Sequence, residues 1–236
     1  MVNSSQLNLA ILFEEKLNRR EEAEELYIKG KSLVEVKIGK NNITYASLAN
    51  NLAEYYEENN QLEKAASLYQ EAKDILLDIV GKYDFGYASV IYNLAFLQKK
   101  LGNLALAEQY LLEVDEIDRA TIGKHHPYYV DGTLPTLAEF YDTKNEVEKA
   151  INFYRRANMG RLDLINYYYS TFDEQTRLNF LNEMEGNFDQ YFSFLHRRAS
   201  QDISFVDAQN INIQLKGLAF NIKFFCFFSS IEFFLK

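Results

Sequence analysis

The sequence contains few of the residues that interrupt helices, with only two prolines and ten glycines in 236 residues. Proline removes a backbone donor and glycine costs about 0.5–1 kcal/mol in a helix interior, so their scarcity leaves long stretches able to be helical. Those stretches are rich in Leu, Ala, Glu, Lys and Gln, which are good helix formers. The composition predicts an all-α chain, and 47% apolar residues are ample for a packed interior.

Cysteine and positive charge are also scarce. The single cysteine, Cys226, excludes an internal disulfide and offers no pair of thiolate ligands, which fits a reducing compartment. The 25 Lys and Arg against 34 Asp and Glu give a net charge of −9, so nucleic acid would be repelled on average and is not expected as a partner. We expect a cytoplasmic protein with no cofactor and no metal.

Long hydrophobic runs are missing at both ends. The apolar residues Leu7 to Phe13 have no positive charge before them, which is not the pattern of a signal peptide. Lys223 and Glu232 interrupt the Phe-rich C-terminal stretch, whereas a membrane span needs about 20 apolar residues. No membrane association is expected, although a weaker hypothesis makes residues 222–236 a membrane or partner anchor.

A period of 42 residues runs through much of the chain. Glycine, tyrosine and alanine each recur at this spacing, with a last alanine step of 43: Gly39, Gly81, Gly123; Tyr45, Tyr87, Tyr129; Ala23, Ala65, Ala107, Ala150. A fixed period between 20 and 50 residues indicates stacked repeat units rather than a single globular core.

Each unit contains two amphipathic segments, in which apolar residues recur at helical spacing. Paired alanines twelve residues apart, such as Ala53 and Ala65, would let the two backbones approach closely. Residues that tolerate left-handed conformations lie between the segments: Asn59-Asn60, Gly102-Asn103 and Lys144-Asn145. The pattern predicts a series of helical hairpins.

These hairpins resemble tetratricopeptide repeats, and the 42-residue form is similar to the repeats of kinesin light chains. The resembling segments are LANNLAEYYEENNQLEKAASLYQEA, a helix pair, and GKHHPYYV, an inter-repeat loop. The resemblance implies a right-handed α-solenoid in residues 1–157, with a partial unit 1–41 and units at about 42–84, 85–127 and 128–160. The array opens inside a hairpin without a capping repeat, which favours a fragment of a longer array.

Residues 158–221 lack the period and resemble the helical connector between tetratricopeptide arrays and the caspase-like peptidase domain of bacterial CHAT-domain proteins. The resembling segments are Phe172–Leu195 and Asn212–Asn221. Thr171 and Glu174 are spaced as a capping box before an apolar stripe, and a last helix is expected near Ile203–Phe220. Residues 222–236, which remain after this segment, are too few for an α/β catalytic domain, so the chain is expected not to be an enzyme.

Asparagines at one repeated position suggest a binding surface. Asn8, Asn51 and Asn93 each precede a Leu-Ala pair, and in the resembling repeats this position faces the concave groove. Asparagine amides both donate and accept, so a ladder of them could bind the backbone of an extended peptide; alternatively, they bridge neighbouring helices. By helical spacing the same face would carry side chains that set preference: Glu54, Tyr92, Phe96, Lys99, Lys100 and Glu139.

The leading expectation is therefore a scaffold that binds a protein or peptide in this groove. The alternative is a sensor and connector fragment of a CHAT-type peptidase whose catalytic domain is missing from the chain. His125 and His126 could ligate a metal, but no nearby cysteine or third histidine completes a site, so a proline-shaped loop is expected there.

Overall fold

The computed structural model describes residues 20–198, and every regular element in that part of the chain is helical. The predicted all-α class is confirmed. In chain order the α-helices are α1 Arg20–Ile38, α2 Ile43–Glu58, α3 Leu62–Ile79, α4 Phe85–Lys100, α5 Leu104–Thr121, α6 Leu134–Thr143, α7 Val147–Thr171 and α8 Glu174–Arg198, and a π-helix covers Tyr129–Thr133. The chain divides into two compact units, Met1–Thr121 and Ile122–Lys236.

Within residues 20–121, the first unit contains two complete helical hairpins. Helix α2 packs against α3 and α4 against α5, while α3 also packs against α4 and α1 against α2. The alanines that the sequence pairs across each hairpin, Ala53 with Ala65 and Ala95 with Ala107, are at most 1% exposed. Small side chains at these positions allow the helices to lie close together, as the spacing predicts, and any larger residue would have to displace its neighbours.

Helix caps and turn residues in the first unit recur every 42 residues. Asn42 and Asp84 cap α2 and α4, with side-chain oxygens that accept from Tyr45 N at 2.9 Å and Gly86 N at 2.8 Å. Within the hairpins, Asn60 has φ 58° and Gly102 has φ 80°. Both values lie in the left-handed region, which asparagine and glycine adopt at low cost. The predicted turn residues are therefore confirmed.

The second unit begins with a hairpin in which α6 packs against α7, and this hairpin contains an irregular step of the repeat. Tyr129 and Ala138 are nine residues apart, whereas Tyr45 to Ala53 and Tyr87 to Ala95 are eight. The π-helix absorbs this additional residue, because its wider turn holds one residue more than an α-turn. This insertion explains why the last alanine step is 43.

We expect a chain lacking Gly132 to fold with the α6 and α7 packing intact, because the deletion would convert the π-turn into an α-turn and restore the regular spacing. Deleting Ser89 from α4 is the matched control, since no extra residue exists there and the first turn would rotate by about 100° against the rest of the helix. Thermal unfolding followed by circular dichroism should show a large drop in midpoint for the Ser89 deletion. Equal drops for both deletions would contradict this account of the insertion.

An ion pair joins a buried arginine to the partly buried Asp131 of the π-helix. Arg161 of α7 is 1% exposed, and its Nε donates to Asp131 Oδ1 at 2.6 Å. Its Nη1 donates to Asn158 Oδ1 at 2.7 Å, and its guanidinium lies 5.6 Å from the centre of the Phe188 ring. Burial lowers the pKa of Arg161, whereas the hydrogen bond and charge of Asp131 raise it. The cluster therefore joins the π-helix, α7 and α8.

Helix α8 packs against α7 through buried aromatic residues and is held at its end by arginines. Tyr154 contacts Tyr191 and Phe194, with ring centres 5.6 and 5.0 Å apart. Arg198 donates to Asp142 Oδ1 at 2.6 Å through Nη2 and at 2.8 Å through Nε. Both bonds end on the same carboxylate oxygen, and because they join oppositely charged groups they hold the end of α8 against α6.

The start of α8 differs from the predicted capping box. Thr171 is the last residue of α7, and Asp173 caps α8 instead, with Oδ1 accepting from Thr176 N at 3.0 Å. Aspartate is as good an N-cap as threonine, so the helix begins two residues later than expected. Phe172 lies between the helices and is 37% exposed, which removes it from the predicted apolar stripe, whereas Phe188 and Phe192 are buried.

Several expectations concern residues outside 20–198: the first helix of the partial unit 1–41, the helix near Ile203–Phe220 and the tail 222–236. Within the described part, no helix combines the length and apolar character needed to cross a membrane.

Candidate functional site

Helices α2 and α4 present a shared face, which we call the first-helix face. Apolar residues of α2 are buried against its neighbours, and a stripe at spacings of three and four remains half-buried or exposed. The same positions of α4, 42 residues later, remain accessible. The first-helix face consists of Ser47, Asn50, Asn51, Glu54, Glu57, Glu58, Ser89, Tyr92, Asn93, Phe96, Lys99 and Lys100.

A chain of side-chain amides connects the two helices. Asn93 Nδ2 donates to Asn50 Oδ1 at 3.1 Å, and Asn50 Nδ2 donates to Asn51 Oδ1 at 3.3 Å. The expected ladder of Asn51 and Asn93 is thus linked through Asn50, which the sequence analysis missed because Tyr92 occupies the equivalent place in α4. The interpretation that asparagines bridge neighbouring helices agrees with this geometry.

The bridge does not use the full bonding capacity of these amides. Each amide offers two N–H donors and a carbonyl that can accept twice. Within residues 20–198, the Asn51 N–H groups and the Asn93 carbonyl make no hydrogen bond of their own. Both asparagines are half-buried, so they are fixed in place and still reach solvent. The arrangement can offer a donor on α2 and an acceptor on α4 to a ligand.

An aromatic pair lies beside Asn93. The rings of Tyr92 and Phe96 have centres 4.8 Å apart, as residues four apart on one helix can. Phe96 is 36% exposed, so the pair offers an apolar surface next to the amides.

Among the charged candidates, Lys100 forms a salt bridge within the first unit. Its Nζ lies 2.6 Å from Glu57 Oε1, and Tyr69 of α3 donates to Glu57 Oε2 at 3.1 Å. Burial of Tyr69 raises the pKa of its hydroxyl, and the nearby carboxylates, Glu57 foremost, raise it further, so the phenol remains a donor. Glu54 and Lys99 are exposed.

The helices behind this face are tied by tyrosine–glutamate contacts that repeat with the period. Tyr45 OH donates to Glu71 Oε1 at 2.8 Å, and Tyr87 OH donates to Glu113 Oε1 at 3.1 Å. Burial, together with the Glu71 contact, raises the pKa of Tyr45 to about 12. Burial alone would raise the pKa of Glu71, but the hydrogen bonds from Lys31 and Tyr45 lower it. These contacts join α2 to α3 and α4 to α5 behind the face.

Two candidates lie elsewhere. Asn8 is outside the described residues. Glu139 is exposed on α6 in the second unit, where its charge contributes, after burial, to raising the pKa of Tyr154 to about 12.

The adjacent histidines have local partners. His126, 42 residues after the cap Asp84, accepts from Tyr128 N through Nδ1 at 3.2 Å. His125 Nδ1 lies 3.2 Å from Asp163 Oδ2 at an exposed site. In residues 20–198, no three His, Cys, Asp or Glu side chains are grouped as metal ligands.

Family models match the chain in two places. Both describe tetratricopeptide repeats, and they cover residues 2–78 and 88–121. The chain contains tetratricopeptide repeats in these two stretches. The models thus cover the hairpins that carry the first-helix face, and proteins with these repeats generally act as non-catalytic scaffolds that bind proteins or peptides. No curated protein matches the sequence.

Solved structures resemble this chain in fold. BtubC (BKLC) from P. vanneervenii is 21% identical with a TM-score of 0.68, over 92% of this chain and 79% of that one. A Podosopora anserina protein assigned to the kinesin light chains, with nearly identical TPR-like repeats, is 18% identical with a TM-score of 0.61, over 92% and 95%. The predicted class of α-solenoid is confirmed. The resemblance of residues 172–195 to CHAT-protein connectors stays a prediction.

Proposed function

We propose that this chain is an interaction scaffold that binds an extended segment of another protein on its first-helix face. The observation that carries the proposal is the amide chain from Asn93 through Asn50 to Asn51. Its two ends leave an acceptor and donors for a ligand, and an extended peptide backbone presents N–H and C=O groups in alternation.

Amide recognition of this kind is independent of the ligand's side chains. Hydrogen bonds to the backbone contribute affinity for any extended segment, while neighbouring side chains decide which segment is preferred. Tyr92 and Phe96 supply an apolar contact, and Glu54 and Lys99 supply exposed charges. Lys100 acts through its contact with Glu57 rather than with the ligand.

The proposal is tested with peptides selected on the full chain from a random-sequence display library, with affinities measured by calorimetry. Asn51→Ala combined with Asn93→Ala should weaken binding about tenfold or more, since each lost hydrogen bond contributes about 0.5–1.5 kcal/mol. Asn41→Ala is the matched control, because Asn41 is exposed in the loop before α2 and donates to Asp78 of α3, away from the first-helix face. Its affinity should remain unchanged.

Circular dichroism must show that the double variant retains its helical content. If the folded double variant binds the selected peptides as tightly as the intact chain does, the first-helix face is not the binding site.

A further inference from the structure

The exposed charges on the first-helix face have opposite signs on its two helices. Glu57 and Glu58 end α2, and the equivalent positions 42 residues later in α4 carry Lys99 and Lys100. Glu54, one turn earlier on α2, adds to the negative side and is exposed, as are Glu58 and Lys99. The charge on the face therefore changes sign from one repeat to the next.

Two of these charged residues form a salt bridge with each other. Glu57 and Lys100 are joined at 2.6 Å, and the Glu57 side chain is only 9% exposed. This pair shows that the two rows of charge meet where α2 and α4 adjoin. Glu54 and Glu58 on one side and Lys99 on the other are exposed to solvent.

A short extended peptide is long enough to reach from the acidic residues on α2 to the basic residues on α4. Packed helices lie about 8–10 Å apart, and an extended peptide advances about 3.3 Å per residue. A peptide that crosses from α2 to α4 would therefore pass from the glutamates to Lys99 in about three residues. Phe96 lies on α4 within one turn of Lys99, and Tyr92 contacts Phe96 one turn earlier, so an apolar side chain of the ligand can pack beside its acidic end.

We propose that the preferred ligand is an extended segment with a dipolar sequence: a Lys or Arg against Glu54 and Glu58, and about three residues away an Asp or Glu against Lys99. A ligand of a single sign would be repelled by one of the two helices, and such like-charge contacts exclude wrong partners. The net charge of −9 alone would favour basic ligands, but Lys99 opposes a purely basic one. This inference rests on the proposed function and specifies its partner.

Peptides selected from the random library on the full chain provide the test. Their sequences should be enriched in a basic and an acidic residue about three positions apart, relative to the unselected library. Glu54→Gln combined with Glu58→Gln should weaken their binding about two- to fivefold, the range for exposed charge pairs. The effect should vanish for the same peptide with its basic residue replaced by alanine, and it should shrink at high salt.

Matched controls are available at exposed positions off this face. Glu63→Gln, in the first turn of α3, and Lys37→Gln, at the end of α1, remove the same charges and should leave affinity unchanged. Lys99→Gln should weaken binding only of peptides that keep their acidic residue.

The outcomes separate the two proposals. Selected peptides that depend on Asn51 and Asn93 but show no paired opposite charges would overturn the dipolar ligand and leave the binding face standing. Peptides that bind without those asparagines, or an empty selection, would overturn the proposed function and this inference with it.

Discussion

Replacing Asp131 with alanine is expected to lower the free energy of unfolding of the second unit by about 3–5 kcal/mol, because it leaves the buried Arg161 guanidinium without its carboxylate. Asn158 would remain as a partner, but a neutral amide does not balance the charge. Urea unfolding measures the loss, and hydrogen exchange on α6, α7 and α8 locates it. The π-helix should lose protection first.

Asp163→Ala is the control for this prediction. Asp163 faces His125 with half of its side chain exposed, and surface pairs contribute at most about 1 kcal/mol. Combining Asp131→Leu with Arg161→Met should recover much of the loss, since replacing both members of a buried pair with apolar residues is often neutral. A loss below 1 kcal/mol for Asp131→Ala alone would show that Arg161 is solvated or otherwise compensated.

Tyr69→Ala is expected to destabilise the first unit by about 3–5 kcal/mol, the usual cost of removing a buried aromatic side chain. Tyr69 is 1% exposed and lies between the two helices of its hairpin. Its hydroxyl also donates to Glu57, which in turn holds Lys100. Urea unfolding of the full chain, with hydrogen exchange on α2 and α3, measures the effect.

Two further variants divide this effect into its parts. Tyr69→Phe keeps the ring and removes only the hydrogen bond to a charged group, so it should cost about 1.5–3 kcal/mol. Tyr83→Ala is the matched control, because Tyr83 is 56% exposed and should cost much less. Equal losses at Tyr69 and Tyr83 would show that burial of the Tyr69 ring in the hairpin does not account for the loss of stability.

The repeat positions could be predicted because their roles depend on local chain geometry. Asn60 and Gly102 lie in left-handed turns, and Ala53 and Ala65 lie at a helix contact, and each role is set by residue type and spacing alone. The predicted capping box at Thr171 was wrong because residue type and spacing allowed more than one N-cap. Threonine and aspartate both cap helices, so the sequence pattern did not decide between Thr171 and Asp173.

The candidate face was predicted in part. Helical spacing placed Asn51, Tyr92 and Asn93 together, whereas Asn50 was missed because its contact is with a residue 43 positions away. The engagement of Lys100 by Glu57 was missed for the same reason. Such pairings depend on how far one helix lies from the next, and no periodicity within a helix reports that distance.

The sequence by itself determined the helical hairpins, their period and their turns, because these follow from backbone preferences and from which residues recur at 3.6 and 42 positions. The tertiary structure alone decided that a π-turn absorbs the additional residue near Gly132, that Asp131 meets Arg161, and that Asn50 joins the asparagines of adjacent repeats. The contacts of Asp131 and Asn50 reach side chains on another helix, so they exist only once packing has set the distances between the helices.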